Sequence, residues 1–295
     1  MSYFRLAATE KMTTSGWEIR ARQHLGETAE IRERALASFR KLLADELGRK
    51  PPIRIRKDDE YFLRYLRYSK FDVPRAVKCF INFYSLWGHY PDKIWPLNKA
   101  PSDWKFYWSK MLSGVLSRRN FDGTTVMIYR KGLWKPGSDG LVCADALAAL
   151  FWFLELLLDD PAVQVDGFTL IMDGRGFSWT FLPHLDLSTI KVLVHTVQDA
   201  FPARFKAIHV VNQPGLYDYI YACIRPFLKP KIMKRIHLHG SDMTSLHEHI
   251  DPEILPEEYG GQAGPFNNDW ICQQLYQRDE EFRKYSHYGF PRNEK

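Results

Sequence analysis

The chain has 295 residues, of which 45% are hydrophobic, 15% aromatic and 26% charged, with a formal net charge of +6. That balance excludes a disordered chain, a collagen and a low-complexity tail, and the length builds one large domain or two modest ones. The apolar stretch 146–154 is short of the roughly 20 residues a bilayer-spanning helix needs, the N-terminal MSYFRLAATEKM lacks the apolar core of a signal peptide, and Cys79, Cys143, Cys223 and Cys272 lie far apart without a CxxC pair, so a reducing, cytoplasmic setting is expected.

In chain order, the first half reads as helix. Thr28 is placed to cap a helix that ends near Leu47, before Gly48 and the Pro51-Pro52 break. Asp58 opens a short helix over 59–68. Asp72, with Pro74 in the first turn, opens another that runs to about Trp87. After about residue 100 the pattern changes. Apolar runs at 125–130, 168–173, 205–211 and 236–238 read as strands, and they alternate with helical segments at 141–158, 186–200 and 214–227. A last amphipathic helix is expected over 269–285. The pattern is therefore a small helical lobe followed by an α/β domain with a mixed or parallel sheet covered by helices. The expected divisions are an N-terminal helical extension at 1–50, a helical lobe at 51–98, the α/β domain at 99–265 and a C-terminal helix and tail at 266–295.

Three segments stand out. Helix 141–158 (LVCADALAALFWFLELLL) is apolar nearly all round, with Glu155 the sole charge after Asp145, so it must be covered on both sides. One cover is the sheet; the other is either more protein or an apolar guest. The segment 214–227 (PGLYDYIYACIRPF) puts Leu216, Ile220, Cys223, Ile224 and Phe227 on one face between Gly215 and Pro226. It is either a lid or an ordinary packed helix. Residues 204–235 carry seven Lys/Arg against one acid, Asp218. Arg204 and Lys206 are two apart on a strand, and Lys231, Lys234 and Arg235 have the spacing of one helix face. Cations beside aromatic residues suit an anionic membrane surface. No helix-turn-helix or RNP-type pattern accompanies them, so a nucleic acid partner is not expected.

Chemistry-bearing motifs are sparse. No GxSxG, GxGxxG, GKS/T or HExxH is present. The turn after Asp173 sits where α/β folds place ligands, but a short Gly-containing turn is weak evidence for an active site. His237, His239, His247 and His249 have spacings able to ligate zinc; with no cysteine nearby they read better as strand and loop histidines, and no metal is expected.

The segments FLRYLRYSKFDVPRA (62–76), GFTLIMD (167–173), FPARFKAIHVVNQP (201–214), PFLKPKIMKRIHLHG (226–240) and ILPEEYGG (254–261) occur in the order of the CRAL-TRIO lipid-binding family, and LPEEYGG is a highly specific part of the match. The chain resembles that family from about Asp58 to its last helix, most closely the tocopherol-transfer and retinaldehyde-binding branch. The resemblance implies a cytosolic carrier without catalysis or cofactor, built from a helical lobe and an α/β domain whose apolar pocket is closed by a mobile gate helix, here 213–228. It implies a monomer that visits phosphoinositide-containing membranes reversibly. The phosphoinositide-binding positions it carries over are Lys78, Arg204, Lys206, Lys231 and Arg235. Tyr68-Ser69 stand where the lobe signature often has an arginine, which leaves one cation fewer.

On such a fold the pocket wall falls to the inward faces. From the apolar helix come Leu147, Leu150, Phe151 and Leu154; from the following helix Ile190, Leu193, Val194 and Val197; and from the gate Leu216, Ile220, Ile224 and Phe227. The strands contribute Phe168, Leu170, Met172, Ile208 and Val210, although a one-residue change of register would turn Thr169 and Ile171 inward instead. Helix 141–158 has no Ser or Thr, so a ligand hydroxyl or aldehyde would find its partner in His195, Thr196, Tyr129 or Ser178. That favours a uniformly apolar guest, such as a carotenoid, sterol-like or retinoid molecule. The alternative is phosphatidylinositol or other phospholipid transfer, or a phosphoinositide-sensing adaptor that carries no lipid.

Overall fold

In the structure, a computed structural model, residues 16–48, 52–89, 99–135, 140, 142–184 and 186–289 are described. The chain begins with four helices, α1 (Gly16–Leu25), α2 (Ala29–Leu47), α3 (Asp59–Tyr68) and α4 (Val73–His89). Their starts follow from the capping residues. Thr28 Oγ1 accepts from the Ile31 amide at 3.2 Å, and Asp58 from the Tyr61 amide at 3.0 Å. Helices α2, α3 and α4 are held together by aromatic rings, with Phe39 4.7 Å from Phe62 and Phe80 5.0 Å from Tyr65.

The α/β part is a five-stranded mixed sheet in the order β1 (Ser113–Val115), β2 (Thr125–Arg130), β3 (Phe168–Asp173), β4 (Phe205–Val211) and β5 (Ile236–Gly240). β1 is antiparallel to β2, and the remaining pairs are parallel. Its helices are α5 (Lys105–Ser109), α6 (Cys143–Leu157), α7 (Pro161–Asp166), α8 (Leu187–His195), α9 (Leu216–Ile224), α10 (Pro230–Met233), α11 (Met243–His247), α12 (Asp269–Tyr276) and α13 (Asp279–Lys284). A π turn, Thr196–Ala200, extends α8, and a 3₁₀ turn, Arg225–Phe227, extends α9. Among the described residues no helix is long and apolar enough to cross a membrane.

Pairing register settles the strand faces. Met127 opposes Leu170, Leu170 opposes Ile208, and Ile208 opposes Ile236, so these side chains share one face. Ile128, Ile171 and His209 share the other. There Val126, Ile128, Ile171 and Val211 join Leu246, Ile250, Leu255 and Tyr259 in a second core.

The apolar α6 is covered on both sides mostly by protein. Trp152 and every residue from Phe151 to Leu158 are buried. Trp152 lies 4.9 Å from Trp104, and Glu155 accepts from Arg64 at 2.9 Å and from the Tyr285 hydroxyl at 2.8 Å. Arg64 thus joins the lobe to the sheet domain. Arg67 does the same, donating to Glu27 at 2.8 Å and to Gln164 at 2.6 Å. The two arginines of the FLRYLRY motif are buried struts.

Several expectations are corrected. The final helix is two, α12 and α13, separated at Gln277-Arg278. Lys231, Lys234 and Arg235 do not share a helix face, because α10 is a single turn; Lys234 is its C-cap and Arg235 leads into β5. The start expected for the apolar helix at Leu141 lies outside the described residues.

Candidate functional site

Between the sheet face carrying Leu170 and the helices above it lies a cavity of about 300 Å³, at the small end of the range for ligand pockets. Its floor is Met127 and Tyr129 on β2, Leu170 and Met172 on β3, Phe205, Ile208 and Val210 on β4, and Ile236 on β5. Its roof is Leu150 and Phe153 of α6, Ile190, Leu193, Val194 and Val197 on α8 and its π turn, and Tyr217, Ile220, Tyr221 and Ile224 of α9. Leu228, Ile232, Trp134 and Phe177 complete the wall. The cavity reaches Asp173, Gly174 and Pro214 at the carboxyl ends of the strands, where open α/β sheets bind ligands.

Of the pocket residues named from sequence, Leu150, Leu170, Met172, Ile190, Leu193, Val194, Val197, Ile208, Val210, Ile220 and Ile224 line this space. Five do not. Phe151 and Leu154 are turned into the core, where Phe151 packs on Phe201 at 5.3 Å, and Phe153 takes the cavity face of α6. Phe168 is buried under Phe205, which lines the wall in its place. Leu216 is in the core, and Phe227 is exposed beneath the Lys191 ammonium, 4.8 Å from its ring. The side chain of Leu147 lies outside the described residues. The floor follows the register that turns Leu170 and Met172 inward. Thr169 faces away, its hydroxyl 2.9 Å from that of Thr124.

Polar groups are few on this wall, and most have partners within the protein. Of the four proposed polar handles, Tyr129 alone lines the cavity. His195 is exposed, 3.5 Å from Asp199. Thr196 is fully buried and donates to the Val192 carbonyl at 2.7 Å, as hydroxyls do within helices. Ser178 is exposed and pairs with Thr180. Polar wall residues that were missed include Tyr217 and Tyr221 of α9 and three others. Ser113 opposes Tyr129 across β1 and β2 and meets the Tyr107 hydroxyl at 3.2 Å; Thr189 donates to Asp186; Gln198 clasps backbone. The Asp173 carboxylate accepts from the Arg175 amide at 2.9 Å, Asn212 at 3.0 Å and the Tyr259 hydroxyl at 3.1 Å. These bonds tie the end of β3 to its own turn, to Asn212 and to Tyr259.

The cations occupy the outer side of the segments that wall the cavity. Phe205 points in between Arg204 and the exposed Lys206. The β3–β4 register skips Lys206, so this lysine is the extra residue of a bulge. Ile232 points in beside exposed Lys231, and Ile236 beside Arg235. Burial, and then the charges of Arg235, Arg75, Arg204 and Lys70, push the Lys231 pKa below the usual lysine value. Burial followed by Arg204 does the same to Lys206, and burial followed by Arg235 to Arg204. These groups therefore stand close enough to repel one another, although Asp166 acts against that on Arg204 and, with Asp122, on Lys206, and Arg204 and Arg235 each donate to a backbone carbonyl, that of Val165 and that of Phe205. Lys70 and Arg75 are members the sequence reading missed; the α4 residue acting most strongly on Lys231 is Arg75, and Lys78 is exposed one turn further along.

A helical lobe, a mixed sheet and an apolar chamber under α9 define a lipid-binding class of protein. The CRAL/TRIO domain matches residues 110–261. The human protein named "Alpha-tocopherol transfer protein-like" is 34% identical over 265 residues, which is 90% of this chain and 75% of that protein. Rat "Clavesin-2" is 34% identical over 81% of this chain and 74% of its own length. A crystal structure of Sfh5 covers 65% of this chain and 71% of its own at 14% identity, with a TM-score of 0.44, too distant a likeness to carry an argument. The chain belongs to the CRAL/TRIO domain family of lipid-binding and transfer proteins.

Proposed function

We propose that this protein is a monomeric carrier that takes a small apolar lipid of tocopherol, retinoid or carotenoid type into the cavity. It delivers that lipid to, or collects it from, membranes containing phosphoinositides, working from the cytoplasm through reversible membrane association. The observation that carries the reading is the pairing of an apolar chamber with a repelling cation cluster on its outer side: Arg204, Lys206, Lys231 and Arg235, with Lys70 and Arg75. Lys78 extends this basic surface along α4. The name of the human relative points the same way. The scarcity of uncommitted polar groups on the wall favours a guest without a large head group over a phospholipid or an inositol lipid held inside.

A guest burying about 500 Å² of apolar surface is favoured over water by roughly 12 kcal/mol before association costs, so it does not leave a membrane unaided. Transfer from bilayer to chamber is nearly neutral because both are dry. No bond is made or broken, no cofactor is needed, and the protein's work is to lower a kinetic barrier. The segment 213–228 is the gate in this reading. Tyr219 and Phe227 on it, with Trp179 beside Tyr219 at 6.1 Å, are exposed and ready to enter the interface.

The test is liposome-to-liposome transfer of a fluorescent retinoid. Lys231→Glu with Arg235→Glu should abolish transfer to vesicles containing phosphoinositide while leaving binding in solution within about twofold. Wild-type transfer should fall as salt is raised, each surface cation contributing about 1 kcal/mol. Transfer by the charge-reversed protein at the wild-type rate contradicts the reading.

A further inference from the structure

On the sheet face opposite the cavity, four histidines close on one another. His209 of β4 and His237 of β5 stand side by side, their rings stacked with centroids 5.0 Å apart. His239 is skipped in the β4–β5 register, so a bulge aims it at the same spot; its Nε2 is 2.9 Å from Nδ1 of His209. His249, beyond α11, closes the group with ring centroids 5.0 Å from His209 and 5.0 Å from His237. His209 is almost wholly buried.

We propose that His209, His237, His239 and His249 form a proton-sensitive clasp on the β5 edge of the sheet, closed while the rings are neutral and released when they take up protons. Nδ1 of His209 and Nε2 of His239 lie at hydrogen-bond distance, so one proton serves both nitrogens and a second has no acceptor. Nδ1 of His239 is taken by the Ser245 hydroxyl at 2.7 Å. The other groups facing the stack are few. Asp242 and Glu248, from the segment that carries α11, pull His239 toward the charged form; β3 presents apolar Ile171; and Asn120 donates to the His249 carbonyl at 2.9 Å. His247 is engaged elsewhere, with the Tyr259 carbonyl at 2.8 Å. Among the described residues no group of three or more His, Cys, Asp or Glu is arranged to hold a metal ion.

Burial, with His239, His237 and His249 behind it, pushes the His209 pKa down to about 3. Burial, then neighbouring histidines, lowers His237 and His239. A group whose pKa is lower in the closed form stabilises that form above its ordinary value, near 6.5, and loses the contribution as pH falls through the closed-form value. Opening is thus promoted on acidification from about pH 6.5 downward, by up to about tenfold per unit for each such histidine. What opens matters for the chamber. β5 is an edge strand; its first residue, Ile236, and Ile232 just before it belong to the cavity wall, and Arg235 belongs to the cation cluster. Protons concentrate at anionic surfaces, so the surface that attracts the cations also favours loosening the wall. This last step rests on the carrier reading; the clasp itself does not.

The experiment uses the full chain without lipid. Hydrogen exchange of the β4–β5 amides is measured at pH 7.4 and 5.5, corrected for intrinsic rates, with histidine titrations followed by NMR. The clasp predicts at least about tenfold loss of β5 protection at pH 5.5 with β2 unchanged, a His209 midpoint below 5, and a smaller loss in the His237→Gln, His239→Gln, His249→Gln variant. Equal β5 protection at both pH values, four midpoints near 6.5, or stoichiometric zinc in the purified protein overturns it. Because no cargo is present, these results stand apart from success or failure in the transfer assay.

Discussion

Tyr68, the last residue of α3, donates its hydroxyl to the backbone carbonyl of Gln198 at 3.0 Å. The side chain of the same glutamine holds the backbone that follows α9. Its amide donates to the Phe227 carbonyl at 3.0 Å, and its oxygen accepts from the Lys229 amide at 2.7 Å. Lys229 is further tied to Asp199. The helical lobe and the far end of the proposed gate therefore meet at one residue on the cavity wall.

Removing that clasp should free the gate without unfolding the domain. Two hydrogen bonds at about 0.5–1.5 kcal/mol each correspond to a rise in local opening of roughly five- to 150-fold. Gln198→Ala should show this as faster exchange of the Lys229 amide and earlier proteolysis near Leu228, with little change in melting temperature. Tyr68→Phe, which leaves the glutamine side chain in place, should show a smaller effect at the same amide.

The buried struts should matter for stability rather than for cargo. Arg67→Met leaves the buried Glu27 carboxylate with Arg32 alone, and breaking a buried pair this way costs about 3–5 kcal/mol. Substituting Glu27 by Met as well should recover part of the loss. Burial acts to raise the Glu27 pKa, but Arg67 and Arg32 together pull it below the usual carboxylate value. A carboxylate lowered in the folded state stabilises above about pH 4.5 and loses that contribution as pH falls through the lowered value. Unfolding midpoints measured across pH 6 to 3 should fall less steeply at the acid end for the double variant than for the wild type.

The LPEEYGG motif should prove structural. Gly260 has φ +70°, and a Cβ on Gly261 would sit 1.9 Å from the Leu255 carbonyl oxygen. Neighbouring Tyr259 ties this turn to Asp173. Gly261→Ala should cost several kcal/mol in chemical denaturation, whereas Ala263→Gly, two residues on, should cost less than about 1 kcal/mol.

Filling the chamber should block it. Leu193→Trp places a large ring from α8 into a cavity of about 300 Å³. Uptake of an apolar fluorophore should fall at least tenfold while circular dichroism is preserved. Uptake at the wild-type level would mean that the guest site lies elsewhere.

Much of this was legible in the sequence where one physical rule dominated. The three long strands carry mostly apolar runs, interrupted by Thr169 in β3 and by Lys206 and His209 in β4, and β2, β3 and β4 lie where those runs lie. Asp58 and Thr28 announce their helices because a capping side chain acts locally. The three-residue β1 has too little pattern to read, and α1 has no marked apolar face. On the all-apolar α6, periodicity could not choose between Phe151 and Phe153; the choice was made by Phe201 and by packing from the lobe. Arg75 and Lys70 join the cation cluster through folding across more than 100 residues, which spacing within one element cannot reveal. The histidine clasp depends on a bulge at His239 that sequence alone does not mark.

The most direct test of the carrier account is native mass spectrometry of the protein isolated gently from its own cells, followed by organic extraction. The account predicts one apolar lipid of a few hundred daltons per chain, released on denaturation and absent from the Leu193→Trp variant. Isolated protein with no bound lipid, together with no uptake of retinoid, tocopherol or carotenoid probes, would contradict it.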